Sequence, residues 1–245
     1  MSNSPSESVR AALAPTGTLR VGVNLSNFLL TARDAQGNIS GVAVDIGREL
    51  GRRLGVPVAV TGYDTPGLLG DAVAQNAWDI GFLADEPARA KLITFSPAYV
   101  EIEATYLVPP GSNIQSVEEV DRAGMRICVS NRSAYELYLT RALKHAELVR
   151  IDGVDNSFKE FAAGGYDALA GLKPRLIKDE KAMSGSRMLP GRFTAVQQAA
   201  GTPKDRGDAV AAYVRAFIED AKASGLVARA IADNRVVGLA VAAPA

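Results

Sequence analysis

Cysteine and histidine are scarce in this 245-residue chain, which contains one of each. The single cysteine, Cys128, has no partner for an internal disulfide, and its apolar neighbours predict a buried, unreactive thiol. Zinc and iron sites are usually built from several Cys and His side chains. We therefore expect no metal site of that kind, and we predict no cofactor.

An excess of charge of one sign is also missing, because 27 Lys and Arg residues balance 27 Asp and Glu residues. No long basic run stands out, so we expect no nucleic-acid partner on electrostatic grounds. The chain has no run of about 18 apolar residues, and we therefore predict no membrane span. It also has no coiled-coil pattern, and we predict a monomer.

The first residues lack the pattern of an export signal. The segment MSNSPSESVRAALAPTG has neither a basic start nor the apolar stretch of about 7–15 residues that a secretory signal peptide contains. Residues 1–16 are predicted to be a flexible lead with one helical turn near Val9. If Met1 is the natural start, we expect a cytoplasmic protein.

From residue 17 onwards, strand-like and helix-like patterns alternate. Ile46, Leu50 and Leu54 repeat every four residues, which is typical of one face of a helix, and Gly55 is expected to end that helix. The alternation predicts parallel sheets covered by helices. The predicted strands are 19–24, 56–63, 79–83, 125–130, 147–152, 166–172 and 192–199.

The pattern occurs twice, on either side of the turn-rich segment VPPGSN. We predict an α/β fold with lobe 1 at residues 17–106 plus 196–245 and lobe 2 at 107–195. Two crossover strands, at about 103–110 and 192–199, are expected to join the lobes. Open α/β sheets bind ligands at the carboxyl ends of their strands, so the expected ligand site is a cleft between the lobes.

The most informative segment is WDIGFLADEPARAKLITFSPAY, which runs from Trp78 to Tyr99. It predicts a buried strand, a turn that carries Arg89, and a second turn that ends in the aromatic Tyr99. The planar guanidinium of an arginine at a strand–helix junction suits a carboxylate. The alternative is that Arg89 is an ordinary solvated arginine.

In order and spacing, these segments resemble the type II periplasmic solute-binding proteins, specifically the polar amino-acid-binding family of ABC importers. The resemblance extends from Gly17 to about Val237, and its most specific part is the pattern R-x-K-x-x-x-F-S-x-x-Y. The segments that carry it are GTLRVGV (17–23), GxxVDI (41–46), RxKxxxFSxxY (89–99), MRICVSNRS (125–133) and GxDA (165–168).

The resemblance implies that Arg89 holds the carboxylate of a small ligand. It also implies that the hydroxyl of Ser133, at the start of a lobe 2 helix, helps to hold the same group. Phe28, with Asn27 beside it in the first loop, is the candidate for an aromatic side chain that contacts the ligand. Ordinary core packing is the alternative for Phe28.

The sequence departs from the family pattern at several of these positions. Leu172 stands where the family has the acid that pairs with a ligand ammonium group, and Lys173 follows it. Glu86 replaces a threonine, Ala84 replaces a serine, and Arg132 replaces a glycine.

Two interpretations of these departures remain open. Glu86, Glu101 or Glu103 accepts the ammonium group from another direction. Alternatively, the ligand is a carboxylate or dicarboxylate, and Lys173 or Arg132 binds its second anionic group.

The resemblance implies a solute-binding protein that captures an amino acid or related organic acid by hinge closure near Glu103 and Gln197. An ABC permease is the implied partner. One alternative is an enzyme similar to the cyclohexadienyl dehydratases, which use acids in the cleft for proton transfer. A cytosolic ligand sensor is another alternative.

Overall fold

The computed structural model describes residues 5–237 and 239–245. The chain divides into two compact units, and each is described by itself below. Unit 1 comprises the described residues of Met1–Glu101 and Gln197–Ala245, and unit 2 comprises Ile102–Val196. Two strands of the chain pass through these boundaries, one in each direction.

Strands and helices alternate along most of the chain. The strands are β1 (Leu19–Asn24), β2 (Ala32–Arg33), β3 (Ile39–Ser40), β4 (Val58–Tyr63), β5 (Ile80–Ala84), β6 (Ile93–Val108), β7 (Arg126–Ser130), β8 (Glu147–Ile151), β9 (Ala168–Leu172), β10 (Arg187–Met188), β11 (Thr194–Pro203) and β12 (Ala240–Val241). The helices are α1 (Glu7–Leu13), α2 (Val42–Leu54), α3 (Pro66–Asp71), α4 (Ala134–Ala142), α5 (Val154–Ala163), α6 (Lys173–Ala182), α7 (Asp208–Ala223) and α8 (Leu226–Asp233).

The sheet of unit 1 has β1 in its interior, parallel to both β4 and β5. β11 is antiparallel to β5, with Gln198 opposite Ala84. Trp78 is fully buried on this sheet, and its indole N–H donates to the carbonyl of Leu69 at 3.0 Å. This parallel arrangement brings the carboxyl ends of β1, β4 and β5 to one edge of the sheet.

The sheet of unit 2 has the order β6, β9, β7, β8, in which β7 is parallel to β8 and β9. The second half of β6 is antiparallel to β9. Cys128 lies in the core with Phe161 and Leu176, and burial raises the pKa of its thiol to about 11. The prediction of a buried thiol is therefore confirmed.

Glycines mark both ends of α2 for different reasons. At Gly41, before the helix, φ is +124°, and a Cβ atom would lie 2.4 Å from the carbonyl oxygen of Leu30. Gly55, after the helix, is in the left-handed conformation, where its N–H donates to the carbonyl of Arg52 at 3.2 Å. The glycine of the GxxVDI pattern is thus needed sterically, and the predicted end of α2 is confirmed.

Two parts of the structure differ from the sequence-based prediction. The second turn predicted before Tyr99 is wrong, because β6 runs continuously from Ile93 through Pro97. Pro97 has no N–H to donate, but the neighbouring Ser96 hydroxyl accepts a hydrogen bond from the Ala200 N–H at 3.1 Å and donates to the Pro97 carbonyl at 2.8 Å. This side chain supplies a contact between β6 and β11 beside the proline.

The second difference concerns the predicted flexible lead. The helical turn predicted near Val9 is confirmed, but it belongs to a seven-residue helix, α1, in which Leu13 is fully buried, so this part is not a flexible lead. The Ser6 hydroxyl caps this helix by accepting from the Val9 N–H at 3.3 Å. Residues 1–4 of the predicted lead lie outside the described residues.

Candidate functional site

The predicted residues of unit 1 lie beyond the carboxyl ends of two neighbouring parallel strands. Asn27 and Phe28 follow β1, and Glu86 and Arg89 follow β5. Loops at this edge of an open α/β sheet are the usual position for ligand contacts. The predicted ligand contacts of unit 1 therefore lie at one edge of its sheet.

Arg89 is a buried residue with 9% exposure, so the interpretation as a solvated surface arginine is wrong. Its Nη1 donates to the carbonyl oxygen of Ala84 at 2.9 Å, which attaches the guanidinium to the last residue of β5. The stem of the side chain lies over Gly70 of α3, where a Cβ atom would be 3.9 Å from Arg89 Cγ. The Ala84 carbonyl thereby holds the guanidinium, and Gly70 lies beside the stem of the side chain.

Two acidic residues, Asp85 and Glu86, lie within the connection between Ala84 and Arg89. Glu86 is buried, and its backbone carbonyl accepts hydrogen bonds from the N–H groups of Arg89 and Ala90 at 2.9 and 3.0 Å. Burial raises the pKa of Asp85 above its usual range, although the positive charge of Arg89 opposes that shift. The Arg89 turn is therefore built on the backbone of Glu86.

The loop after β1 is held by the backbone and side chain of Asn27. The Asn27 carbonyl accepts from the N–H groups of Leu30 and Thr31, each at 3.0 Å, and its side-chain oxygen accepts from Leu29 N–H at 3.3 Å. Phe28, the next residue, is 51% exposed. The core-packing alternative for Phe28 is therefore wrong, while the buried Asn27 supports the loop.

Gln197 and Glu103 lie close to the two unit boundaries. Gln197 is the first residue of unit 1 after the chain returns from unit 2, and its carbonyl accepts from the Asp85 N–H at 2.9 Å. Glu103 is the second residue of unit 2. The hinge role of both residues stays a prediction.

In unit 2, Ser133 is the N-cap of α4, as the sequence predicts. Its hydroxyl accepts a hydrogen bond from the Glu136 N–H at 3.1 Å. The buried Glu136 carboxylate accepts from the Arg132 N–H at 3.2 Å and from Arg150 Nε at 2.7 Å. This arrangement resembles a capping box and fixes the start of the helix.

Arg132 occupies a conformation that favours glycine. Its φ is +57°, in the left-handed region that costs a residue with a Cβ atom roughly 1–2 kcal/mol. A glycine, which the resemblance implies at this position, would avoid that cost. The substitution thus places a positively charged side chain directly before Ser133.

Leu172 and Lys173 stand where β9 ends and α6 begins. Leu172 is the N-cap of α6, where its apolar side chain makes no capping hydrogen bond. Lys173 Nζ lies 2.7 Å from Glu103 Oε2, and Arg192 Nη1 lies 3.3 Å from Glu103 Oε1. Lys173 therefore forms an ion pair with Glu103, which Arg192 shares.

Sequence reasoning missed two residues of this arrangement, Gly70 and Arg192. A glycine within a helical pattern is a sequence signal for close packing, but a Cβ atom at Gly70 would lie at an ordinary contact distance of 3.9 Å from Arg89 Cγ. Arg192 had no such signal, because its partner Glu103 is 89 positions away in the chain. Within residues 5–237 and 239–245, no group of three or more His, Cys, Asp and Glu residues is arranged to hold a metal ion.

The family model of the bacterial extracellular solute-binding proteins, family 3, matches residues 19–233. The chain belongs to this family. As a family 3 solute-binding protein it is a ligand-binding protein, and the resemblance predicted from the sequence is confirmed. Among the described residues, none of the helices has the length and hydrophobicity to cross a bilayer.

Relatives of this family 3 protein are distant in sequence. The lysine/arginine/ornithine-binding periplasmic protein of Escherichia coli is 24% identical over 213 residues, which are 82% of this chain and 82% of that protein. A solute receptor for L-cysteine from Neisseria gonorrhoeae matches with a TM-score of 0.77 and 21% identity, covering 94% of this chain and 95% of that one. A mutant of ArgBP from T. maritima matches with a TM-score of 0.74 and 20% identity, covering 92% and 98%. These structures confirm the predicted fold, that of the type II periplasmic binding proteins.

Proposed function

We propose that this solute-binding protein captures an amino acid or related organic acid through its carboxylate, and that Arg89 is the principal contact. The observation that carries the proposal is the buried Arg89 guanidinium, which Ala84 holds at the carboxyl end of β5. Burial strengthens an ion pair with a ligand because less water competes for the charge. A planar guanidinium can donate two parallel hydrogen bonds to one carboxylate.

Ser133 is proposed as a second contact for the ligand. Its hydroxyl accepts from the Glu136 N–H and also hydrogen-bonds to the Tyr135 side chain, which a ligand anion can replace as the acceptor of the hydroxyl proton. The first turn of α4 also presents backbone N–H groups and the positive end of the helix dipole. Both features favour an anionic group at Ser133.

Phe28 is proposed to contact the apolar part of the ligand. An aromatic side chain that is 51% exposed gains when a ligand covers its face. Asn27 is proposed to support the site by holding this loop, because its side-chain oxygen accepts a hydrogen bond from the Leu29 N–H.

The proposal can be tested by isothermal titration calorimetry with a panel of amino acids and organic acids. For the tightest ligand, Arg89→Gln should cost at least about 2 kcal/mol, which is about a 30-fold weaker affinity. Arg89→Lys should recover part of the loss, because it restores the charge but not the planar fork. Lys91→Met, which removes an exposed positive charge two residues away, is the matched control and should bind as the parent does.

An affinity that does not change in Arg89→Gln would refute the proposed contact. Mass spectrometry of the solution after binding adds a second readout. A binding protein returns its ligand unchanged, whereas a dehydratase-like enzyme would convert it. Loss of the ligand would therefore replace the proposed function with the enzymatic alternative.

An ABC-type permease is proposed as the partner, because the family and the E. coli relative are solute-binding and periplasmic proteins. Deleting the gene for this chain should reduce high-affinity uptake of the identified ligand by cells. Complementation with Arg89→Gln should not restore that uptake, although Lys91→Met should. Uptake that is independent of the gene would refute the partnership.

A further inference from the structure

We infer that the ligand carries a second acidic group, which Lys173 and Arg192 recognise. The inference rests on the proposed function and names the ligand class for the same site. It begins from the cluster of Lys173, Glu103 and Arg192 in unit 2, hereafter the charged triad. In the triad, Glu103 bridges the two cations at 2.7 and 3.3 Å.

Backbone pairing places the charged triad as firmly as its side-chain contacts do. Ala104, next to Glu103, pairs with Leu172 in the register of β6 and β9. The N–H of Phe193, next to Arg192, donates to the Ala104 carbonyl at 3.0 Å. The three charged residues therefore come from three adjacent segments, and their proximity follows from the sheet itself.

The charged triad has a net charge of +1, because two cations share one carboxylate. Each oxygen of Glu103 is already within bonding distance of a different cation. Hydrogen bonding from Lys173 is the main reason that the pKa of Glu103 lies below its usual range. A ligand ammonium group would meet the repulsion of both cations at this carboxylate, so Glu103 is a poor replacement for the acid missing at Leu172.

The cations themselves remain accessible to a ligand. The side chains of Lys173 and Arg192 are 32% and 51% exposed. A carboxylate that approaches them meets a positive net charge and, at the first residue of the ten-residue helix α6, the positive end of a helix dipole. An anion is therefore favoured where the family pattern favours an ammonium group.

Other acids near the carboxyl ends of β7 and β8 are also engaged. The Glu136 carboxylate accepts from Arg150 Nε at 2.7 Å and from the Thr140 hydroxyl at 2.7 Å. The Asp152 carboxylate accepts from Asn131 Nδ2 at 2.9 Å. Arg132, directly before Ser133, adds a further positive charge to this part of unit 2. These two carboxylates are thus already engaged, whereas the exposed cations of the charged triad favour an acidic group on the ligand.

The test is calorimetry on the full chain with four probes: L-glutamate, succinate, L-alanine and L-arginine. L-glutamate or succinate should bind at least about tenfold more tightly than L-alanine and L-arginine. Lys173→Met should weaken the tighter acidic probe by at least about tenfold, while changing L-alanine affinity by less than about threefold. Lys181→Met removes an exposed lysine from the last turn of the same helix and should change neither affinity.

Circular dichroism checks that each variant folds, and Arg192→Met provides a second test should Lys173→Met fail to fold. Tightest binding of L-alanine or L-arginine, with its loss in Arg89→Gln, would overturn the inference while the proposed function stands. Equal losses for the acidic probe and L-alanine in Lys173→Met would overturn it as well. Binding that does not depend on Arg89 would overturn both, whereas no binding of either acidic probe would overturn the inference alone.

Discussion

Replacing Leu172 with aspartate tests two things at once, the missing side-chain cap of α6 and the ligand acid that the resemblance implies at this position. Leu172 already has the extended backbone of an N-cap residue, with φ −68° and ψ 133°, but its side chain accepts no hydrogen bond. A carboxylate at that position is expected to accept from the N–H of Arg175, in the first turn. Pro174, also in that turn, has no N–H to donate.

The expected stabilisation combines two contributions. An N-cap side chain contributes about 1 kcal/mol relative to alanine, and a negative charge at a helix N-terminus adds about 0.3–1 kcal/mol. Leu172→Ala is the correct reference, because it removes the partly buried leucine without adding a cap. Leu172→Asp should therefore be about 1.5 kcal/mol more stable than Leu172→Ala.

Leu172→Asn separates the two contributions, since asparagine caps the helix without a charge. Its free energy of unfolding should lie between those of the alanine and aspartate variants. The measurement is urea denaturation at neutral pH and low salt, followed by circular dichroism. At high salt the difference between the aspartate and asparagine variants should shrink, because salt screens the charge.

Equal stability of Leu172→Asp and Leu172→Ala would refute this account of the helix start. Ligand binding provides an independent readout of the same variant. If the missing acid explains selectivity, Leu172→Asp should improve the binding of a neutral or basic amino acid and weaken that of L-glutamate. No change in this preference would mean that Leu172 does not correspond to the ammonium-binding position.

Three further substitutions test other parts of the structure by urea denaturation. Arg132→Gly should stabilise the fold by about 1 kcal/mol, because it relieves a φ of +57°. Arg235→Gly, which relieves a φ of +54°, is the matched comparison. A loss of stability in both variants would refute the strain argument. Hydrogen bonding from Arg52, one turn further along α2, lowers the pKa of Glu49 from 4.5 to about 2. Its stabilising contribution is thus complete above pH 4.5 and lost as the pH falls through about 2, so Glu49→Gln should destabilise by about 1 kcal/mol at pH 7 and show a shrinking deficit in acid. Gly22→Ala should destabilise by about 1–3 kcal/mol, because its Cβ would lie 2.7 Å from Leu69 Cδ1 and 3.0 Å from Trp78 Cδ1. Parental stability would show that these two side chains can move aside.

Much of the local structure was predictable from the sequence. β1 has the predicted limits 19–24, and the apolar positions of α7, such as Val210, Val214 and Phe217, are buried as their spacing indicates. Such patterns are readable because hydrophobic periodicity and capping depend on residues within a few positions of one another. The same holds for Ser133, whose N-cap role follows from the helix that begins directly after it.

The candidate site was predictable only in part. The spacing around Arg89 indicated its importance, but its burial and its bond to Ala84 depend on how β5 and the following turn pack. The exposed side chain of Phe28 likewise depends on packing, since an aromatic residue is as common in a core as in a binding site.

By itself, the sequence determined the family and the alternation of strands and helices, and it placed an apolar residue, Leu172, at the predicted ammonium-binding position. Only the tertiary structure decided which charges surround that position. Lys173 and Glu103 are 70 positions apart and meet through the pairing of β6 with β9. The physical reason is that local periodicity selects an element, whereas the charge around an element is set by distant segments that the sheet brings beside it.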